Sequence, residues 1–242
     1  MKKYKAFLSK FCTIGLMICS VVILIASSMK LYEYNKERTE NEKLAKEVVL
    51  ENPTAQAAPI SVDFEKLKQE NDDIIAWLYC EGTPINYPVV QAEDNSYYLR
   101  RGTDGKYSLS GTLFVDYRNK DDFADNNTII YGHNMKNDTM FGILTEYQNQ
   151  DYFSEHPKMY LLTPDKEYRV QLVAGVTVSS TSSIYKLPLA DEDKEAFISE
   201  MLEKSTFKSG YTFSSNDRFV ILSTCSYVYN DARYVLIGKL AE

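Results

Sequence analysis

Residues 219–225 read Phe-Val-Ile-Leu-Ser-Thr-Cys, and residues 233–237 read Arg-Tyr-Val-Leu-Ile. The apolar run in each stretch predicts a buried strand. Cys225 ends the first strand and Arg233 begins the second. If the two strands pair antiparallel, the short loop between them holds the thiol and the guanidinium at one end of a sheet. A neighbouring cation favours the nucleophilic thiolate, and an arginine can donate to a developing oxyanion.

The rest of the chain predicts a mainly β domain. Pro164-Asp165-Lys166 predicts a hairpin turn between two strand-like runs. Many short strands with few crossover helices predict a mainly antiparallel barrel. The predicted strands lie at residues 74–80, 85–90, 112–117, 128–131, 159–163, 168–178, 218–224 and 233–240. The predicted helices lie at residues 64–70, 96–101, 140–149 and 191–204.

The helical pattern at 191–204 precedes the strand that ends at Cys225 and carries a partial apolar stripe. A helix at this point of the chain either forms one wall of a substrate groove or only covers a face of the barrel. The spacing of its residues favours neither alternative.

The N-terminus predicts a membrane anchor. Residues 11–29 carry no charge, and a helix of about 19 residues crosses the hydrocarbon core of a bilayer. Lysines at positions 2, 3, 5 and 10 precede this stretch, so the positive-inside rule keeps residues 1–10 in the cytoplasm. A cleaved signal peptide is the alternative, although its apolar region is normally only about 7–15 residues. We expect a stalk and linker at 30–60 and an extracellular folded domain at 61–242.

The composition excludes several classes of function. The net charge is −7, which argues against nucleic-acid binding because that function needs a basic face. The sequence has no Cys-x-x-Cys or His-x-x-x-His spacing, no calcium-loop spacing and no phosphate-binding glycine loop. We therefore expect neither a metal ion nor a cofactor.

The cysteines leave two alternatives open for Cys225. Cys12 and Cys19 lie in the predicted anchor, so Cys80 and Cys225 are the two cysteines of the exported part. Exported domains use cysteines mostly in disulfides, and a Cys80–Cys225 bridge is therefore one alternative. The other is a free thiol at each position, which we favour because a domain of this size folds without a disulfide. Cys80 also ends an apolar run, where a buried free thiol is common.

The chain has two histidines. His133 follows the strand-like run 127–132, and catalytic groups are often displayed at strand ends on a rigid scaffold. His156 precedes Pro157 in a polar stretch that predicts a surface turn. His133 is therefore the candidate acid or base, although a lone histidine is often only structural.

Leu222-Ser223-Thr224-Cys225 with Arg233, and Tyr131-Gly132-His133 upstream, resemble the signature of the sortases, the transpeptidases of Gram-positive cell surfaces. The helix predicted before the cysteine strand resembles the class B branch. So do the residues at 111–119, 127–135, 140–141 and 231–235. The resemblance extends over residues 63–240. One departure is Ile221, where many sortases have threonine, in a buried strand and away from the reacting groups.

The resemblance implies a closed eight-stranded barrel with added helices at residues 61–242, and it implies roles for three residues. Cys225 would attack the carbonyl of a threonine in a Pro-x-Thr sorting signal at the C-terminus of secreted surface proteins. His133 would act as general acid and base, and Arg233 would orient the threonine and stabilise the oxyanion. The acyl group would then pass from the thioester to an amine of a peptidoglycan precursor or of a pilin.

Ser223, Thr224 and Tyr227 are candidate substrate-binding residues, because two of them precede the thiol and the third lies in the following loop. Ordinary strand and loop roles explain them equally well. Two other functions remain open from the sequence. One is an exported cysteine peptidase that only hydrolyses, and the other is a non-catalytic surface module with a Cys80–Cys225 disulfide.

Overall fold

A computed structural model describes residues 2–51, 58–225 and 231–242, with residues 2–11 and 225 described by their backbone alone. The chain divides into two compact units, Met1–Glu40 and Asn41–Glu242. Helix α1, Lys2–Val48, makes up the first unit and extends into the second. From Cys12 onward this helix contains a stretch that is long and apolar enough to cross a membrane. A signal sequence has the same character, so the helix is a candidate span.

The second unit opens with a small sheet and a short helix. Strands β1, Val49–Glu51, and β2, Ile60–Val62, pair antiparallel, and helix α2, Phe64–Glu70, follows them. Asp63 caps α2, because its carboxylate accepts a hydrogen bond from the backbone N–H of Lys66 at 3.0 Å.

The last turn of α1 is buried in this unit. Ala45 and Val48 pack in one apolar cluster with Ala58, Leu67 and Trp77. Residues 41–51 therefore contribute to the core of the folded unit, although the charged sequence around them predicts a solvated stalk. Residues 52–57 of the predicted linker lie outside the described residues.

A closed eight-stranded barrel forms the centre of the second unit, as the family resemblance implies. Its strands are β3 Ile74–Tyr79, β4 Asn86–Val90, β5 Leu113–Val115, β6 Asn127–Gly132, β7 Lys158–Leu162, β8 Glu167–Ser179, β9 Arg218–Cys225 and β10 Ala232–Ala241. Around the barrel the order is β10-β8-β7-β3-β4-β5-β6-β9, and β9 pairs with β10 to close it. Neighbouring strands run antiparallel except for the β4–β5 and β6–β9 pairs. Each predicted strand corresponds to one of these, with ends that differ by about two residues at most.

The helix predicted at 140–149 is present as a 3₁₀ helix. Gly142–Gln148 forms a 3₁₀ helix, and an α-helix, α3, follows at Gln150–Glu155. Phe141, Leu144 and Tyr147 recur every third residue and are all buried, which suits the three residues per turn of a 3₁₀ helix.

Two further predicted helices also differ from the structure. Residues 96–101 contain a 3₁₀ turn, Tyr97–Arg100. Residues 191–204 form a short 3₁₀ turn, Asp191–Asp193, that leads into helix α4, Lys194–Glu203. Only the second of these segments thus contains an α-helix.

Helix α4 covers one outer face of the barrel. Its Ile198 and Met201 are buried in an apolar cluster with Val173 of β8, Ile221 of β9 and Val235 of β10. This cover explains why residues 172–176 of β8 and 234–238 of β10 are buried on both faces of the sheet. Of the two roles considered for this helix, the structure shows the covering one.

Candidate active site

A cavity of about 450 Å³ opens where β6 and β9 end and β10 begins. Four of the predicted site residues line it, namely His133, Ser223, Thr224 and Arg233. The other lining residues are Asn95, Leu99, Phe114, Arg118, Tyr131, Gly132, Ser180 and Tyr185. The structure therefore brings together residues that are far apart in the sequence.

Strand register sets the arrangement of the three expected catalytic residues. In the antiparallel β9–β10 pair, Arg233 lies opposite Cys225, which confirms the pairing predicted from the two apolar runs. In the parallel β6–β9 pair, Gly132 lies beside Thr224. His133 follows Gly132 directly, so it leaves β6 at the level where β9 reaches Cys225. Three adjacent strands thus bring these three positions to one end of the sheet.

Gly132 permits the close packing of β6 just before His133. A side chain at this position would place its Cβ 2.5 Å from the Leu113 side chain and 2.6 Å from the Phe141 ring. A larger residue would therefore displace the end of β6 and the histidine that follows it.

His133 is half-buried, and its ring contacts one backbone carbonyl. Its Nε2 lies 2.7 Å from the carbonyl oxygen of Leu99. Because a carbonyl oxygen only accepts, Nε2 carries a proton and Nδ1 is the nitrogen available to exchange one. Burial lowers the pKa of His133 below its usual 6.5, the charge of Arg100 lowers it further, and the Leu99 contact opposes both effects. The neutral imidazole is therefore favoured at neutral pH.

Arg233 keeps most of its donors available. Its Nη1 donates to the carbonyl oxygen of Ala232 at 3.1 Å. Among the residues that the structure describes, no carboxylate forms an ion pair with the Arg233 guanidinium, which lines the cavity. A guanidinium has five N–H donors, so several remain for a ligand carbonyl or oxyanion.

The structure describes two of the three candidate substrate-binding residues. Ser223 is buried, and its Oγ lies 2.8 Å from the Tyr185 hydroxyl. Thr224 is also buried, and its Oγ1 has no hydrogen-bond partner among the described residues. Tyr227 lies outside the described residues, and Cys225 is described by its backbone alone.

Cys80 is a buried free thiol. Its Sγ lies 3.6 Å from the Tyr147 hydroxyl and 3.6 Å from the carbonyl oxygen of Lys158. Burial raises the pKa of this thiol, although hydrogen bonds from Tyr147 and Thr83 oppose the effect. A protonated, enclosed thiol is unreactive, and its contacts argue against the Cys80–Cys225 bridge considered above.

One wall of the cavity contains residues that were not predicted from the sequence. Tyr131 and Tyr185 stack with ring centroids 6.3 Å apart, and Asn95 and Arg118 line the same wall. Tyr131 is two residues before His133, so strand alternation alone puts both on the same face. Asn95 and Arg118 come from loops and Tyr185 from a 3₁₀ turn, Ser183–Tyr185, and no spacing in the sequence indicates their approach. Within the described residues, no cluster of three or more His, Cys, Asp or Glu side chains could hold a metal ion.

Known proteins resemble this chain in both sequence and fold. Residues 78–241 match the family model for the sortase domain. Sortase B of Listeria monocytogenes is 32% identical over 247 residues, covering 98% of each chain. The Staphylococcus aureus sortase B–substrate complex superimposes with a TM-score of 0.77 at 28% identity, covering 87% of this chain and 99% of that one. Sortase B of Bacillus anthracis in complex with AAEK1 gives 0.76 at 32% identity, covering 88% and 99%.

The family model matches more than half of the chain, and the solved neighbours share both the barrel and the helices around it. The chain therefore belongs to the sortase family of cysteine transpeptidases, on its class B branch.

Proposed function

We propose that this chain is a membrane-anchored transpeptidase that cleaves a Pro-x-Thr sorting signal after threonine and transfers the acyl group to an amine. The observation that carries the proposal is the register of three adjacent strands, which has Arg233 opposite Cys225 and His133 one residue beyond the Gly132–Thr224 pair. The cavity beside them supports binding of an extended peptide, because its wall contains both aromatic rings and polar groups.

In the first step the Cys225 sulfur attacks the carbonyl carbon of the threonine and forms a carbon–sulfur bond. The thiol proton passes to Nδ1 of His133, whose neutral form is favoured by burial. The carbonyl oxygen gains negative charge, and the free N–H groups of Arg233 donate to it. The arginine therefore stabilises a charge that is present only as the bond is made.

Collapse of this intermediate breaks the carbon–nitrogen bond of the scissile peptide. His133 returns its proton to the leaving nitrogen, so the C-terminal part departs as a neutral amine. The remaining acyl group is a thioester on Cys225, which retains enough reactivity for aminolysis without ATP. An incoming amine then attacks the thioester and loses a proton to His133. The carbon–sulfur bond breaks, and His133 returns the proton to the departing sulfur, which restores the Cys225 thiol.

The location and the partners follow from the same proposal. Helix α1 supports a single membrane span, with residues 1–10 in the cytoplasm and the barrel outside the cell. The donors would be secreted surface proteins with a C-terminal sorting signal, a proposal supported by the solved substrate complex of the Staphylococcus aureus relative. The acceptor would be an amine of a peptidoglycan precursor or of a pilin.

The test uses the full chain in detergent micelles with a mixed library of Pro-x-Thr peptides, with and without a small amine. We expect a product cleaved after threonine that carries the amine, and no such product with Cys225→Ala. If the only product is the hydrolysed peptide, even when the amine is added, the protein is a peptidase instead. Mass spectrometry of the products separates the two results.

A further inference from the structure

Asp116 is a fully buried carboxylate next to the cavity. It follows β5 directly, and its backbone N–H donates to the carbonyl oxygen of Ile129 in β6 at 2.9 Å. A buried carboxylate is costly unless hydrogen bonds or an opposite charge compensate for the loss of water. The partners of Asp116 therefore indicate what the buried charge holds in place.

The Asp116 carboxylate binds three side chains. Arg118 donates to it through Nε and Nη2, both at 2.8 Å, which is the two-pronged geometry of a strong ion pair. Asn95 donates through Nδ2 at 3.0 Å, and the Tyr131 hydroxyl donates at 3.0 Å. Burial raises the pKa of Asp116, but hydrogen bonds from these three residues outweigh that effect and leave the pKa below its usual value.

All three partners line the cavity, and the contacts continue beyond them. Arg118 Nη2 also donates to the carbonyl oxygen of Tyr185 at 3.3 Å, and the Tyr185 hydroxyl contacts Ser223 Oγ. One chain of hydrogen bonds therefore joins Asp116 to β6 at Tyr131, to the loop before α4 at Tyr185, and to β9 at Ser223. Two of these residues are each two positions from an expected catalytic residue.

We propose that Asp116 is a positioning residue for the donor peptide, whose carboxylate, together with Arg118, holds Asn95, Tyr131 and Tyr185 in the arrangement that binds the sorting signal. The inference rests on the proposed function, because it assigns the cavity to the donor peptide. Asp116 is fully buried and faces its own partners, so it acts through the cavity wall and not on the reacting bond.

Asp217 provides a matched control. It is also a buried carboxylate, with an ion pair to Lys239 at 2.7 Å and a hydrogen bond from the Tyr211 hydroxyl. It precedes β9 at the end remote from Cys225, about 25 Å away along the strand. Asp217→Asn thus removes a comparable buried charge without touching the cavity wall.

The substitution Asp116→Asn keeps the size of the side chain and removes its charge. An asparagine turns N–H donors toward Arg118, so the two-pronged contact is lost. Arg118→Lys is the second variant, since lysine keeps the charge but cannot make two parallel hydrogen bonds. We expect each change to weaken binding of the donor peptide about tenfold, as expected for a lost charge-assisted hydrogen bond.

The experiment measures binding in the Cys225→Ala background, so that its result does not depend on turnover. The full chain in detergent micelles is titrated with the fluorescently labelled Pro-x-Thr peptide that this background binds most tightly. We expect Asp116→Asn and Arg118→Lys to raise Kd about tenfold, with Asp217→Asn within about twofold of the background. Thermal unfolding of each variant reports whether it is folded.

Equal peptide binding by the Asp116, Arg118 and Asp217 variants would overturn the inference. If Asp116→Asn does not fold, Arg118→Lys carries the test alone, with the same two outcomes. A wild-type chain that binds the peptide but transfers nothing would contradict the proposed function and leave the binding comparison intact. The two failures are therefore distinguishable.

Discussion

Arg233 is the register partner of Cys225 in the antiparallel β9–β10 pair, so the backbone itself fixes the distance between the guanidinium-bearing residue and the thiol-bearing one. The pairing continues through Leu236 and Leu222 to the remote end of β9. Because both strands are almost fully buried, a slip in register would expose many apolar side chains at once. The core of the barrel therefore secures the geometry of the site.

The arginine should contribute mainly to the chemical step. Replacing Arg233 with alanine removes the oxyanion donors, and we expect kcat/KM for transfer to fall about 10²- to 10³-fold. Arg169→Ala, which removes an exposed arginine on β8, is the control and should leave transfer unchanged. Steady-state kinetics with donor peptide and amine measure both. A fall of less than threefold for Arg233→Ala would contradict the oxyanion role.

His133 should make the protein less stable as the pH is lowered. Its pKa in the folded state lies below the usual value of 6.5, mainly because of burial. Between these two pKa values the unfolded state binds more protons at His133 than the folded state does. The free energy of unfolding therefore falls as the pH drops below 6.5, and it stops falling once the pH is below the pKa of the folded state. Urea unfolding from pH 7.5 to pH 5 should therefore show a smaller loss of stability in His133→Gln than in the wild type. An identical loss would contradict the burial-induced shift.

The same histidine sets the acid limb of the pH profile of kcat/KM. If neutral His133 accepts the thiol proton, kcat/KM should fall as the pH drops through the lowered pKa of the free enzyme. The inflection should lie below 6.5. An acid limb with its midpoint clearly above 6.5 would show that another group controls it. His156→Gln is the control, because His156 contacts the carbonyl oxygen of Glu81 away from the cavity.

Strand periodicity explains why much of the fold and the site could be predicted from the sequence. Apolar runs of strand length located the barrel strands, and the runs ending at Cys225 and starting at Arg233 indicated their pairing. The buried end of α1 was missed, because Ala45 and Val48 lie in a charged segment with no clear apolar period. Asn95, Arg118 and Tyr185 were missed because tertiary contacts bring their segments to the cavity. Examples are the hydrogen bonds from Arg118 to the Tyr185 carbonyl oxygen and from Asn95 to Asp116.

The side chains of Tyr185 and Ser223 should be coupled in their contribution to the free energy of unfolding. The two hydroxyls lie 2.8 Å apart in the cavity wall, and removing either one removes their hydrogen bond. We expect Tyr185→Phe and Ser223→Ala each to lower the free energy of unfolding by about 1 kcal/mol. The double variant should lose less than the sum of the two, by about 0.5 kcal/mol or more. Additive losses in urea unfolding would contradict a direct contact.

The end of helix α1 should stabilise the barrel. A chain that starts at residue 41 keeps Ala45 and Val48 in their apolar cluster, whereas a chain that starts at residue 60 uncovers Leu67 and Trp77. We expect the free energy of unfolding of the shorter chain to be about 3 kcal/mol lower. Urea unfolding of the two truncated chains measures the difference. Equal stability would show that residues 41–59 add nothing to the core.

The most direct test of the account is the mass of the acyl-enzyme. The full chain is mixed with its donor peptide without an amine, quenched in acid and analysed intact. We predict an added mass equal to the peptide through threonine less one water, present in Cys80→Ala, absent in Cys225→Ala and released by hydroxylamine. Peptide cleavage that persists in Cys225→Ala, with no adduct on the wild-type chain, would contradict Cys225 as the nucleophile.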